Sequence, residues 1–122
     1  MVNIHLLCVG KLKEKHFASA CAEYEKRLSP FCKLTVTELP EERLPDAPSQ
    51  AQIDVALERE AALILSKVPK SAKLIALCVE GKLLSSEALA SQIEKWTVEG
   101  YSSLALVIGG SFGLHPTVKE KA

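Results

Sequence analysis

The stretch Leu104-Ala105-Leu106-Val107-Ile108-Gly109-Gly110-Ser111-Phe112-Gly113-Leu114-His115-Pro116 decides how this chain folds. Leu104 to Ile108 are five apolar residues in succession, two of them β-branched, a pattern that predicts a strand buried on both faces in the middle of a parallel sheet. Gly109, Gly110 and Gly113 then supply a turn without Cβ atoms, where the backbone can take positive φ and a ligand can lie against bare peptide groups. Pro116 stands where a first helical residue belongs, because its missing N–H costs nothing there. Strand, glycine loop and helix start together make the corner at which open α/β sheets hold ligands. Taken by itself the loop is equally a ligand site or a close-packing turn. No Gly-Lys-Ser/Thr follows, so it is not a triphosphate loop, and it does not spell the spaced glycine triplet of a dinucleotide fold.

Working outward, the other apolar runs are arranged to build a sheet around this strand. Val2 to Val9 predicts a first strand ending at Gly10, and Leu74 to Val79 a second central strand ending at Glu80-Gly81-Lys82. Lys33 to Leu39 alternates as a strand near the sheet edge. Between them Phe17, Ala20, Cys21, Tyr24 and Leu28 share one helix face, closed by Pro30. Ser49 to Gln52 has the form of a capping box opening a long helix through Ile53, Ala56, Leu57, Ala61, Ile64, Leu65 and Val68. Ser85 or Ser86 caps a third helix, whose Leu89, Ile93 and Trp96 share a face and whose terminator is Gly100. Tyr24 and Trp96 are thus expected in helix core faces. Pro40 to Pro48, with three prolines and four charges, reads as a solvated connector. The predicted order is β-α-β-α-β-α-β-loop-α, an α/β fold with a mostly parallel sheet flanked by helices, in a single domain over residues 1–122.

At 122 residues the chain buries enough surface to be stable without disulfides or metal. Lys and Arg balance Asp and Glu at 15 each, which excludes a body that grips nucleic acid by charge alone. Lys11, Lys13 and Lys15 form a local basic group that suits phosphate or a solvated turn equally. Cys8, Cys21, Cys32 and Cys78 lack Cys-x-x-Cys spacing and read as apolar filler, with no metal site. The short apolar run at the amino terminus has neither the length nor the flanks of a signal or a membrane anchor, so a cytoplasmic protein is expected. The final helix has only Thr117 to Ala122 after Pro116, so the chain is expected to stop inside an element, as a cut chain or a natural truncation.

Four pieces in register carry a resemblance. Val9-Gly10-Lys11-Leu12-Lys13-Glu14-Lys15, Glu23-Tyr24-Glu25-Lys26-Arg27-Leu28, Gly81-Lys82 followed by Ser85-Ser86-Glu87, and Val107-Ile108-Gly109-Gly110 with Gly113-Leu114-His115 resemble the ribosomal large-subunit pseudouridine N3-methyltransferases, the YbeA-like group of the SPOUT class. The resemblance implies an α/β knot fold and a homodimer. It also implies transfer of methyl from S-adenosylmethionine to N3 of a pseudouridine in 23S rRNA of the assembled ribosome. Cofactor residues carried over by it are Leu77 and Gly81 on one loop and Gly109, Gly110 and Gly113 on another. Relatives continue past Ala122 with a segment that completes the knot, covers the adenosine and supplies much of the dimer interface. The alternative expectation is therefore a non-catalytic remnant or binding module with an incomplete pocket; a nucleotide-binding regulatory protein rests on the glycine loop alone. No catalytic residue is assigned, and His5, His16 and His115 read as structural or solvated.

Overall fold

In the computed structural model, which describes residues 2–122, strands and helices alternate from the amino terminus. They are β1 (Val2–Val9), α1 (Lys15–Leu28), β2 (Cys32–Leu39), α2 (Gln50–Lys67), β3 (Ala72–Leu77), α3 (Ser86–Val98), β4 (Ser103–Ile108) and α4 (Pro116–Lys121). This is the expected order of elements. Every strand pair is parallel and the lateral order is β2-β1-β4-β3. Leu6 of β1 lies between Val36 of β2 and Leu106 of β4, and Leu106 in turn pairs with Ile75 of β3.

The apolar run that ends at Ile108 is central as expected, and residues 103, 104, 105 and 107 are buried. The other continuous run is not. β3 forms the edge of the sheet, against the expectation of a second central strand. Its Leu74 still needs an apolar face, because Leu74 packs into the same core as Ala105 and Val107. Helix cover makes a strand apolar on its faces, whereas edge or centre is decided by lateral hydrogen bonding, which hydropathy does not record.

The core lies on one face of the sheet. Leu7, Val9, Leu39, Leu74, Ala105 and Val107 point there, alternating with their neighbours, and meet Ala61 and Ile64 of α2 together with Leu114 and Val118. α2 begins at a capping box: the Ser49 hydroxyl accepts from the Gln52 N–H at 3.2 Å, and the Gln52 side-chain oxygen accepts from the Ser49 N–H at 2.9 Å. α4 is too short to hold by itself. It is held because Val118 is fully buried against α2 and β3.

Right-handed crossovers put α1 and α3 on the opposite face. Neither helix has a buried residue. The apolar face expected to bury on α1 is therefore open: Phe17, Tyr24 and Leu28 are exposed, Tyr24 at 62%. Trp96 is half-buried. Of the cysteines only Cys32 is buried, Cys21 lies on the open face of α1, and all four are free thiols. The spacing of apolar residues fixed which face of α1 is apolar, not whether a neighbouring element in this chain reaches it.

Candidate functional site

The carboxyl ends of all the parallel strands point to one side of the molecule, and the glycine loop lies at the middle of that rim. Register brings the candidate residues Leu77 and Gly109 together, because Leu77 is the partner of Ile108. Leu77 is 48% and Ile108 41% exposed, so two adjacent strand ends present an apolar floor to solvent. The loop above it is tied by a hydrogen bond from the Gly113 N–H to the Gly110 carbonyl at 3.0 Å.

The three loop glycines are required for three different reasons. Gly113 has φ +82°, the left-handed region that excludes most side chains, and a Cβ there would meet nothing within 4 Å. Gly109 and Gly110 do not have positive φ, contrary to the general expectation for the turn. A Cβ on Gly109 would lie 2.5 Å from the Gly113 carbonyl oxygen, so its need is close approach of backbone to backbone. A Cβ on Gly110 would collide with the carboxylate of Glu41. Gly81 closes its own turn, donating to the Cys78 carbonyl at 3.0 Å. That turn is joined to α4 by an ion pair between Glu80 and Lys119. The hydrogen bond from Lys119 holds the Glu80 carboxyl below its ordinary value, and the same bond raises Lys119.

Glu41 and Glu60 are the residues that sequence reasoning missed. Glu41 leaves the Pro40–Pro48 connector and accepts two hydrogen bonds from Ser111: the N–H to Oε2 at 3.2 Å and the hydroxyl to Oε1 at 3.0 Å. Its carboxylate also approaches the end of β1, 3.8 Å from where a Gly10 Cβ would stand. Glu60 sits on α2, only 7% exposed, and accepts from the Glu42 N–H at 2.9 Å. Burial pushes its carboxyl up; the Glu42 N–H opposes this, while the charges of Glu41 and Glu42 add to it. The connector is therefore pinned at two adjacent residues rather than simply solvated. A groove between it and α2, lined by Leu44, Ile53, Ala56 and Leu57 among others, reaches the glycine loop at Ser111 and Phe112.

The rim thus has two sides. Between β1 and β4, whose following helices leave to opposite faces, the switch-point crevice is filled by the Glu41 carboxylate. Between β4 and β3 the strand ends are open at Leu77 and Ile108, and in the loop that follows a Cβ on Gly113 would meet nothing within 4 Å. Gly110 faces the closed side. His115 does not offer a free base: its Nδ1 caps α4, accepting from the Thr117 N–H at 3.1 Å. Among the described residues no cluster of His, Cys, Asp and Glu is grouped to hold a metal, and no helix is long and apolar enough to cross a membrane.

A family described as "Predicted SPOUT methyltransferase" matches residues 2–122. The chain is also similar to proteins named ribosomal RNA large subunit methyltransferase H. It is 44% identical to that of Limosilactobacillus reuteri (strain DSM 20016), 46% to that of Levilactobacillus brevis and 42% to that of Listeria monocytogenes serotype 4b (strain CLIP80459). Each match covers 99% of this chain and 76% of the relative. With an all-parallel α/β sheet, a glycine loop at the carboxyl end of its central strand and a match along almost its whole length, the chain belongs to the SPOUT methyltransferase family.

Proposed function

We propose that this chain methylates N3 of a pseudouridine in 23S rRNA of the assembled ribosome, using S-adenosylmethionine, as one domain over residues 1–122 that works as a cytoplasmic homodimer. The name borne by the relatives supports an rRNA substrate, and family membership supports the methyl donor. The observation that carries the donor site is the open side of the rim. Leu77 and Ile108 offer an apolar floor of the kind an adenine ring covers, and at Gly113 a Cβ would meet nothing within 4 Å. These residues fit the donor, with Leu77, Gly81, Gly109 and Gly113 lining its side of the rim. Gly110 shapes the loop from behind.

S-adenosylmethionine supplies, when bound, a methyl group already activated on sulfonium. What remains for the protein is to orient donor and acceptor at a site from which the N3–H proton can pass to solvent water as the methyl group is taken up, which needs no covalent nucleophile. The neutral net charge agrees with recognition of a shaped ribosomal surface rather than free RNA.

Calorimetry with S-adenosylmethionine tests the donor site, with ATP as the control. Saturable binding of the donor, lost on Leu77→Asp, is expected. Binding of ATP with no response to the donor would replace this reading by a nucleotide-binding one. Transfer of a labelled methyl group to large ribosomal subunits, located by mass spectrometry of the digested rRNA, tests the reaction. Donor binding without transfer would instead favour a binding module.

A further inference from the structure

The five residues of the glycine loop follow Ile108, the strand partner of Leu77, and are held on the other side by Glu41 through Ser111. Such a loop, tied within itself by one bond between Gly113 and Gly110, has little to fix its tip. Ser111 at that tip donates both its N–H and its hydroxyl to a single carboxylate from a segment 70 residues away. The carrier of that carboxylate is itself anchored, since the next residue donates its N–H to the buried Glu60. The chain Glu60, Glu42, Glu41, Ser111 therefore runs from the core side of α2 to the loop tip.

We propose that Glu41 is a positioning residue for the donor corner, that it holds residues 109–113 in the shape whose open side receives the methyl donor, and that residue 110 is glycine in order to seat the Glu41 carboxylate. The proposal rests on the donor-site reading above for its consequence in binding, though not for the strap itself. Glu41 touches neither donor nor acceptor in this scheme. Its effect is to order the loop before binding, so that the ordering cost is not taken from the affinity. Charge-assisted bonds to a carboxylate are the stronger kind, which suits a two-contact strap at an otherwise exposed tip.

The test combines amide hydrogen exchange by NMR, which needs no ligand, with calorimetry using S-adenosylmethionine. Glu41→Ala should speed exchange of the Ser111 amide about tenfold while β4 amides keep their protection. Gly110→Ala should do the same, because its methyl displaces the carboxylate. The double variant should be no worse than either single one, and Glu41→Gln, which keeps an acceptor for Ser111, should restore most of the protection. Donor affinity should fall in the same order, about tenfold in Glu41→Ala. Unchanged Ser111 exchange in Glu41→Ala, or effects of Glu41→Ala and Gly110→Ala that add in the double variant, would overturn the proposal. So would wild-type donor affinity in a Glu41→Ala chain whose loop has loosened. Failure of the wild-type chain to bind the donor at all would sink the donor-site reading instead, and the exchange result would still decide the strap.

Discussion

Gly109→Ala separates steric need from torsional need at the heart of the corner. Gly109 lacks positive φ, so alanine pays no backbone penalty there. Its methyl would instead stand 2.5 Å from the Gly113 oxygen, 2.6 Å from the Gly113 carbonyl carbon and 3.0 Å from Leu114 Cγ. None of these can give way cheaply. Gly113 is fixed by its hydrogen bond to Gly110, and Leu114 is part of the buried core with Val118. Relief requires the loop to shift by several tenths of an ångström against packed side chains, a change that costs about 1–3 kcal/mol. Replacing glycine recovers about 0.4–1 kcal/mol from the unfolded chain, leaving a net loss of roughly 1–2 kcal/mol. With a urea slope of about 1–3 kcal/mol/M the midpoint should fall by about 1 M. Gly110→Ala is the matched control: the hard contact of its methyl is the movable carboxylate end of Glu41, with Val9 Cγ1 at 3.2 Å beside it, and the variant should stay within about 1 kcal/mol of wild type. Equal midpoints for the two variants, or a Gly109→Ala chain as stable as wild type, would refute the close-approach argument.

The core and the connector supply further tests. Val118→Ala removes two carbons from a side chain with no exposed surface, so it should cost about 2 kcal/mol and loosen α4 first, read as faster exchange of α4 amides at unchanged β1 protection. Glu60 has its folded carboxyl raised above the ordinary value of 4.5, so between that value and the raised one the folded chain holds a proton that the unfolded chain has released. Its contribution is fully present below that ordinary value and is lost as pH rises through the raised one. Glu60→Gln keeps an acceptor for the Glu42 N–H and removes the ionisation, so it should unfold at higher urea than wild type at pH 7 and show a flatter dependence between pH 4.5 and 7. Parallel pH profiles for the two proteins would refute it.

How much of this was legible in the sequence differs by element for physical reasons. The central strand and its glycine turn could be read because both requirements are local: a strand covered on two faces needs an unbroken apolar run, and Gly113 needs its own torsion. The capping box of α2 is local too, with both of its bonds inside four residues. The position of β3 at the edge and the open face of α1 were not legible, since each depends on what lies beside the element rather than within it. The candidate site divides in the same way. Leu77 and Gly109 are joined by strand register, but Gly110 owes its identity to a carboxylate from another part of the chain.

Glu41 and Glu60 show where a signal existed and where none did. Glu60 follows Ala56 by four positions and precedes Ile64 by four, so it lies within the apolar stripe that marks the buried face of α2. A carboxylate is rarely placed there without a partner, because its desolvation must be offset by a hydrogen bond. That misfit alone predicts a backbone donor nearby, and the connector supplies it through Glu42. Glu41 carries no such mark: among prolines and charges it is indistinguishable from a solvated residue, and its partner Ser111 is 70 residues distant. Once Glu60 fixes Glu42, however, Glu41 has little freedom left. Its neighbour's backbone is tied to α2 and its carboxylate stands beside Gly10 and Gly110, at the ends of two adjacent central strands. The buried acid that breaks the helix pattern thus determines where the exposed acid can reach, and through it the conformation of the glycine loop.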